Sequence, residues 1–138
     1  MTSSCEIESR LTSVRERIAA AAARVGREPE EITLLGVAKR KRAELIVAAV
    51  RAGLRDLAEN YVQEAVAKIP TVNAGLEREG LAAPRWHFVG QLQRNKARDV
   101  VRLFDVRDVA LYVFESERLV EEGDGLVVGG RHGATSAQ

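Results

Sequence analysis

The chain has 138 residues, of which 46% are hydrophobic and 30% charged, and its formal net charge is +1. That suits one domain with a hydrophobic core, and no apolar run approaches the ~20 residues of a membrane helix. A single cysteine, Cys5, excludes an internal disulfide and reads as cytosolic; no secretory leader opens the chain, and near-neutral charge argues against bulk electrostatic binding of nucleic acid.

Residues 4–25 place Ile7, Leu11, Val14, Ile18 and Val25 at helical spacing opposite Glu8, Arg10, Arg15, Glu16 and Arg17, which predicts an amphipathic N-terminal helix. Ser3 and Glu6 fit a capping box, and Gly26 stands where a left-handed C-cap is expected. After a polar turn, the run 32–38 has the length and β-branched content of a strand buried on both faces. It ends abruptly in Lys39-Arg-Lys-Arg42. Leu45, Ile46, Ala49 and Val50 mark a helix ending at Gly53, followed by a short strand over 54–58. A helix over 61–69 is expected to stop at Pro70, and 71–84 has no clear pattern. Residues 86–90 read as a strand, 95–103 as a helix and 104–109 as a fourth strand.

Alternating strands and helices with short connections predict βαβ units and a parallel sheet of about four strands. A complete (β/α)₈ barrel needs about 250 residues. The chain therefore has room for a small open α/β sheet or for part of a barrel. From Gly123 on, the last 16 residues hold five of the 11 glycines, so the composition changes there.

Three residues stand where α/β folds place ligands, at or near C-terminal strand ends. Lys39 follows the most apolar strand, and neighbouring cations favour the neutral amine that Schiff-base chemistry requires. Taken locally, Lys39–Arg42 reads more readily as a solvated basic loop, one that could touch phosphate or RNA. Asn60 ends the second strand, where it either faces the same rim or caps the next helix. His87 alternates with Trp86 and Phe88, so it points either toward a barrel centre or into a satisfied buried position. With no acid or cysteine at ligand spacing, it is no metal site. Walker, GxGxxG, GxSxG and CxxC patterns are absent. The basic clusters Lys39–Arg42 and Arg94/Lys96/Arg98/Arg102 lack the aromatics of a single-strand platform, which disfavours an RNA-binding module.

Three ordered stretches carry a resemblance: Leu34-Leu-Gly-Val-Ala-Lys39, Ala58-Glu-Asn-Tyr-Val-Gln-Glu64 with Lys68-Ile69, and Trp86-His-Phe-Val-Gly-Gln-Leu-Gln-Arg-Asn-Lys96. Together they resemble the pyridoxal phosphate homeostasis proteins, which share a fold with the N-terminal barrel of alanine racemase. The resemblance covers roughly residues 5–108. Ala38 stands where the family has Ser, and Ala58 where it has Gly. The resemblance implies a partial (β/α) barrel over 1–108 and a divergent glycine-rich tail over 109–138. It implies pyridoxal 5′-phosphate as cofactor, held as an aldimine of Lys39, with Asn60 and His87 lining the pocket. Asn95 and Lys96 match the family's N-K pair. Family members regulate or carry the cofactor without an established reaction, so a carrier is expected rather than an enzyme. A racemase-like activity is the competing reading. The family pattern stops near Val109, so a truncated member is expected, self-associating through open sheet edges.

Overall fold

The computed structural model describes residues 3–90, 92–105 and 127–129. Helix α1 (Ser4–Arg24) begins at Ser3, whose hydroxyl accepts from the Glu6 amide at 3.2 Å, and Gly26 follows with a left-handed φ of 68°. Leu11 and Ala22 are its buried residues. Strand β1 (Leu35–Val37) is followed by α2 (Ala43–Arg51), β2 (Asp56–Glu59), α3 (Val62–Arg78), β3 (Arg85–Phe88), α4 (Ala97–Leu103) and β4 (Val127–Gly129). Single 3₁₀ turns precede β1 at Pro29–Glu31 and α4 at Arg94–Lys96.

Strands β1, β2 and β3 are parallel neighbours, and β4 pairs antiparallel with β1, giving the order β3-β2-β1-β4. The expectation of about four parallel strands is corrected on this point: three are parallel, and the fourth partner of the sheet comes from 127–129. The strand expected over 104–109 lies largely outside the described residues, with Phe104 capping α4.

The pleat sorts side chains onto two faces. Leu57 pairs with Trp86 and Glu59 with Phe88, and this face carries the main core with Ile46, Val50, Ile69, Val72 and Leu76 from the helices. Phe88 meets Phe104 edge to face, with ring centroids 5.5 Å apart. The opposite face carries Asp56, Ala58, Arg85 and His87, beside Leu35 and Val37 of β1. Helix α1 reaches the rest through α2, where the Arg15 guanidinium donates to the carbonyls of Ala52 and Gly53 at 3.3 and 2.7 Å. Gly53 has φ 99°, and an added Cβ would meet that guanidinium at 3.2 Å, so glycine serves both the turn and the close approach. Among the described residues, no helix is long and apolar enough to cross a membrane.

Element boundaries depart from the sequence expectations for local reasons. The first strand is three residues, and its pattern is half-buried, buried, half-buried rather than buried on both faces. The Ile32 amide closes the preceding 3₁₀ turn on Pro29, so Ile32 does not join the sheet. The Leu54 amide donates to the Ala49 carbonyl at 3.0 Å and closes the turn after α2, which delays β2 to Asp56. The largest departure is α3, which runs through Pro70 to Arg78 instead of stopping there. A proline inside a helix costs about 3 kcal/mol. Ile69, Val72 and Leu76 are all buried, and each contributes roughly 1.5–3 kcal/mol, so tertiary burial outweighs the break. Pro70 itself faces solvent. Pro70→Ala is therefore expected to raise unfolding stability by about 1–3 kcal/mol, read as a higher urea midpoint with unchanged slope.

Candidate functional site

The C-terminal ends of β1, β2 and β3 converge where parallel sheets bind ligands. Lys39 lies in the exposed turn after β1, between buried Ala38 and Arg40, whose φ of 57° is left-handed. That conformation costs a non-glycine residue about 1–2 kcal/mol. Two bonds offset it. The Arg40 amide donates to Glu64 Oε1 at 2.6 Å, and Lys68 Nζ donates to the Ala38 carbonyl at 2.7 Å.

Lys68 is the centre of this cluster. Its ammonium, with the side chain 9% exposed, also donates to Glu59 Oε1 and Glu64 Oε1, both at 2.6 Å. Glu59 is fully buried at the end of β2, whereas Glu64 sits one helical turn before Lys68 on α3 and keeps 27% exposure. Burial raises the Glu59 pKa, and the Lys68 hydrogen bond and charge only partly offset it. Glu64 goes the other way. Burial pulls it upward, but the Lys68 hydrogen bond, the Arg40 amide and the charges of both cations together hold it below the usual carboxylate range.

Asn60 directly follows β2. It is not the N-cap of α3, since Tyr61 occupies that position and makes no side-chain cap bond. Its Oδ1 is buried and has no hydrogen-bond partner among the described residues, as is also true of Glu59 Oε2. Asn60 instead lines a cleft of about 480 Å³ with Tyr61, Gln63, Phe88, Gly90 and Lys96. Gly90, at φ 120°, adopts a left-handed conformation at the cleft wall that glycine tolerates and other residues rarely adopt.

His87 points to the opposite sheet face from Trp86 and Phe88 and is buried. Its Nε2 lies 2.8 Å from Asp56 Oδ1, and Asp56 also takes Arg85 Nε at 2.9 Å and Arg85 Nη2 at 3.0 Å. The register explains this: Asp56 is directly opposite Arg85, and His87 is the next same-face residue along β3. The buried histidine therefore does have an acidic neighbour, 31 residues away in sequence. Among the described residues no hydrogen bond joins Lys39, Asn60 and His87 to one another: Lys39 and Asn60 follow adjacent strand ends, whereas His87 lies within β3 and turns to Asp56 at the start of β2. Among the described residues no group of acids, histidines and cysteines is arranged to hold a metal ion.

Sequence reasoning passed over Asp56, Glu59, Glu64 and Lys68 as site residues. The i,i+4 spacing of Glu64 and Lys68 was the available signal for one pair. Nothing local signals the reach of Lys68 to Ala38, 30 residues away.

No family model matches the chain. The pyridoxal phosphate homeostasis protein of Escherichia coli (strain K12) is 49% identical over 100 residues, covering 72% of this chain and 41% of that protein. Over those matched residues the chain belongs to the pyridoxal phosphate homeostasis family. PipY of Synechococcus elongatus PCC7942, solved with and without PLP, gives TM-scores of 0.55 at 38% identity, covering 72% of this chain and 39% of PipY. An unknown protein from Bifidobacterium adolescentis gives a TM-score of 0.67 at 35% identity over 74% of this chain and 43% of its own. The chain thus spans about two fifths of the length of the Escherichia coli protein and of PipY.

Two consequences of the Lys68 cluster are measurable. Removing the cation while leaving a buried carboxylate behind typically costs 3–5 kcal/mol, so Lys68→Met is expected to lose about that much in chemical denaturation. The two glutamates oppose each other in pH. Glu64 stabilises the fold above the unfolded carboxylate pKa, and that contribution is lost as pH falls through its lowered value. Glu59 has a raised pKa, so the folded chain takes up its proton first and the Glu59 contribution rises as pH falls from neutral. Glu59→Gln is expected to remove that rise, seen as a urea midpoint that changes less between about pH 7 and pH 5 than in the wild type.

Proposed function

We propose that this chain binds pyridoxal 5′-phosphate and serves cofactor homeostasis as a carrier or regulator, with Lys39 as the attachment residue. The observation that carries this is the placement of an exposed lysine on a constrained turn at the C-terminal end of β1, beside the end of β2 where Asn60 borders a polar cleft. It agrees with the relatives' name and with PipY having been solved with PLP bound.

The residues present suit such a group. The orphaned, buried Oδ1 of Asn60 is an acceptor in need of a donor, and the cleft adds the Lys96 ammonium and the amides of Gln63 and Gln93, which suit an anionic ligand. When bound, the cofactor supplies an aldehyde carbon that condenses with a lysine amine and releases water. Lys39 would provide that amine, Asn60 and Lys96 would hold polar edges, and His87, oriented by Asp56, would face the barrel side of the sheet. We place this binding portion within 1–108 as part of a (β/α) barrel, with the apolar stripe of α1 covering α2 from outside. Self-association is expected along the β3 edge beyond Trp86, whose N–H and C=O are already taken by Asp105.

A carrier reading is preferred to a racemase-like one because the curated relatives are named for pyridoxal phosphate homeostasis and not for a reaction. The test is direct. Purified protein mixed with pyridoxal 5′-phosphate is reduced with borohydride and the modified lysine mapped; label at Lys39, lost in Lys39→Ala, is the expected result. Absence of a Lys39 adduct in the wild type overturns the binding reading. Racemisation of alanine by the loaded protein, lost in Lys39→Ala, overturns the carrier reading in favour of an enzyme.

A further inference from the structure

The peptide groups on either side of Lys39 are held by one set of side chains. The Ala38 carbonyl, in the peptide unit before Lys39, accepts from Lys68 Nζ at 2.7 Å. The Arg40 N–H, in the unit after it, donates to Glu64 Oε1 at 2.6 Å. Lys68 and Glu64 are joined at 2.6 Å, and Lys68 is anchored to buried Glu59 of β2 at 2.6 Å. With both flanking peptide planes tied to α3 and β2, the φ and ψ of Lys39 are restrained, and so is the direction of its Cα–Cβ bond. The left-handed φ of Arg40 marks the turn as one the surrounding groups must hold in place. We infer that Glu64 and Lys68 are positioning residues that fix the direction in which the otherwise exposed Lys39 side chain leaves the turn, and through it the approach of its amine to the cofactor. This inference rests on Lys39 being the attachment lysine, and it assigns a task to the buried ionic cluster of Glu59, Glu64 and Lys68.

Glu64 is the residue to test, because it keeps 27% exposure while Glu59 is fully buried, so its replacement leaves the buried Lys68–Glu59 pair intact. Glu64→Ala removes the acceptor for the Arg40 amide; Glu64→Gln keeps an acceptor oxygen there. Val72→Ala, in the α3 core away from the turn, supplies a control of reduced stability. Each full-length variant is titrated with pyridoxal 5′-phosphate, reduced with borohydride and mapped for labelled lysines, and Arg40 amide exchange is followed without cofactor. The expected result for Glu64→Ala is a tenfold or greater loss of apparent affinity, with label spread from Lys39 to other lysines, and at least tenfold faster exchange at Arg40. Glu64→Gln should recover Lys39 labelling and affinity to within about threefold, and Val72→Ala should keep both despite a lower melting temperature. Wild-type labelling at Lys39 that persists unchanged in Glu64→Ala overturns the positioning role while leaving the binding reading standing. Equal losses in Val72→Ala and Glu64→Ala also overturn it, since general destabilisation would then explain both. A wild type that does not label at Lys39 overturns the binding reading and this inference together.

Discussion

The Lys68 ammonium is the interaction on which the site end of this fold depends. It sits where three elements meet: the end of β1, the end of β2 and the first turns of α3. A buried cation must be compensated on several sides, and here two carboxylates and one backbone carbonyl do so. Because those acceptors belong to different elements, satisfying one charge also sets the spacing of two strand ends and of the helix that follows. The peptide groups flanking Lys39 are held within that same charge balance.

The sheet supplies a second constraint through its pleat. Placing Leu57, Trp86 and Phe88 against the helices obliges Asp56, Arg85 and His87 to share the other face. Asp56 then has two cationic or hydrogen-bonding neighbours, one directly opposite and one a step further along β3. The same alternation puts Glu59 on the helix side, within reach of Lys68. One register therefore separates the two polar clusters, and a slip by one residue would exchange them.

Much of the architecture was legible in the residues. The Ser3 cap of α1, a helix through Leu45, Ile46, Ala49 and Val50, and the alternation of the first three strands with helices follow from periodicity and turn chemistry, which act over a few residues. The α3 boundary was not legible, because Pro70 is a strong local stop that only buried Val72 and Leu76, packed beneath a sheet, override. The antiparallel pairing of β4 with β1 was equally hidden: a glycine-rich stretch gives no local sign of the strand it joins.

For the site the division is sharper. By itself the sequence determined the motif-bearing residues, Lys39, Asn60 and His87, and their places near the ends of consecutive strands, since alternation and strand length need only neighbours in the chain. The tertiary structure alone decided that Asp56 holds His87, that Asn60 borders a cleft instead of capping α3, and that Lys68 and Glu64 grip both sides of Lys39. Those contacts join residues 24–31 positions apart, or depend on where α3 begins. They come into being only when parallel pairing and helix packing set a register, which no local preference encodes.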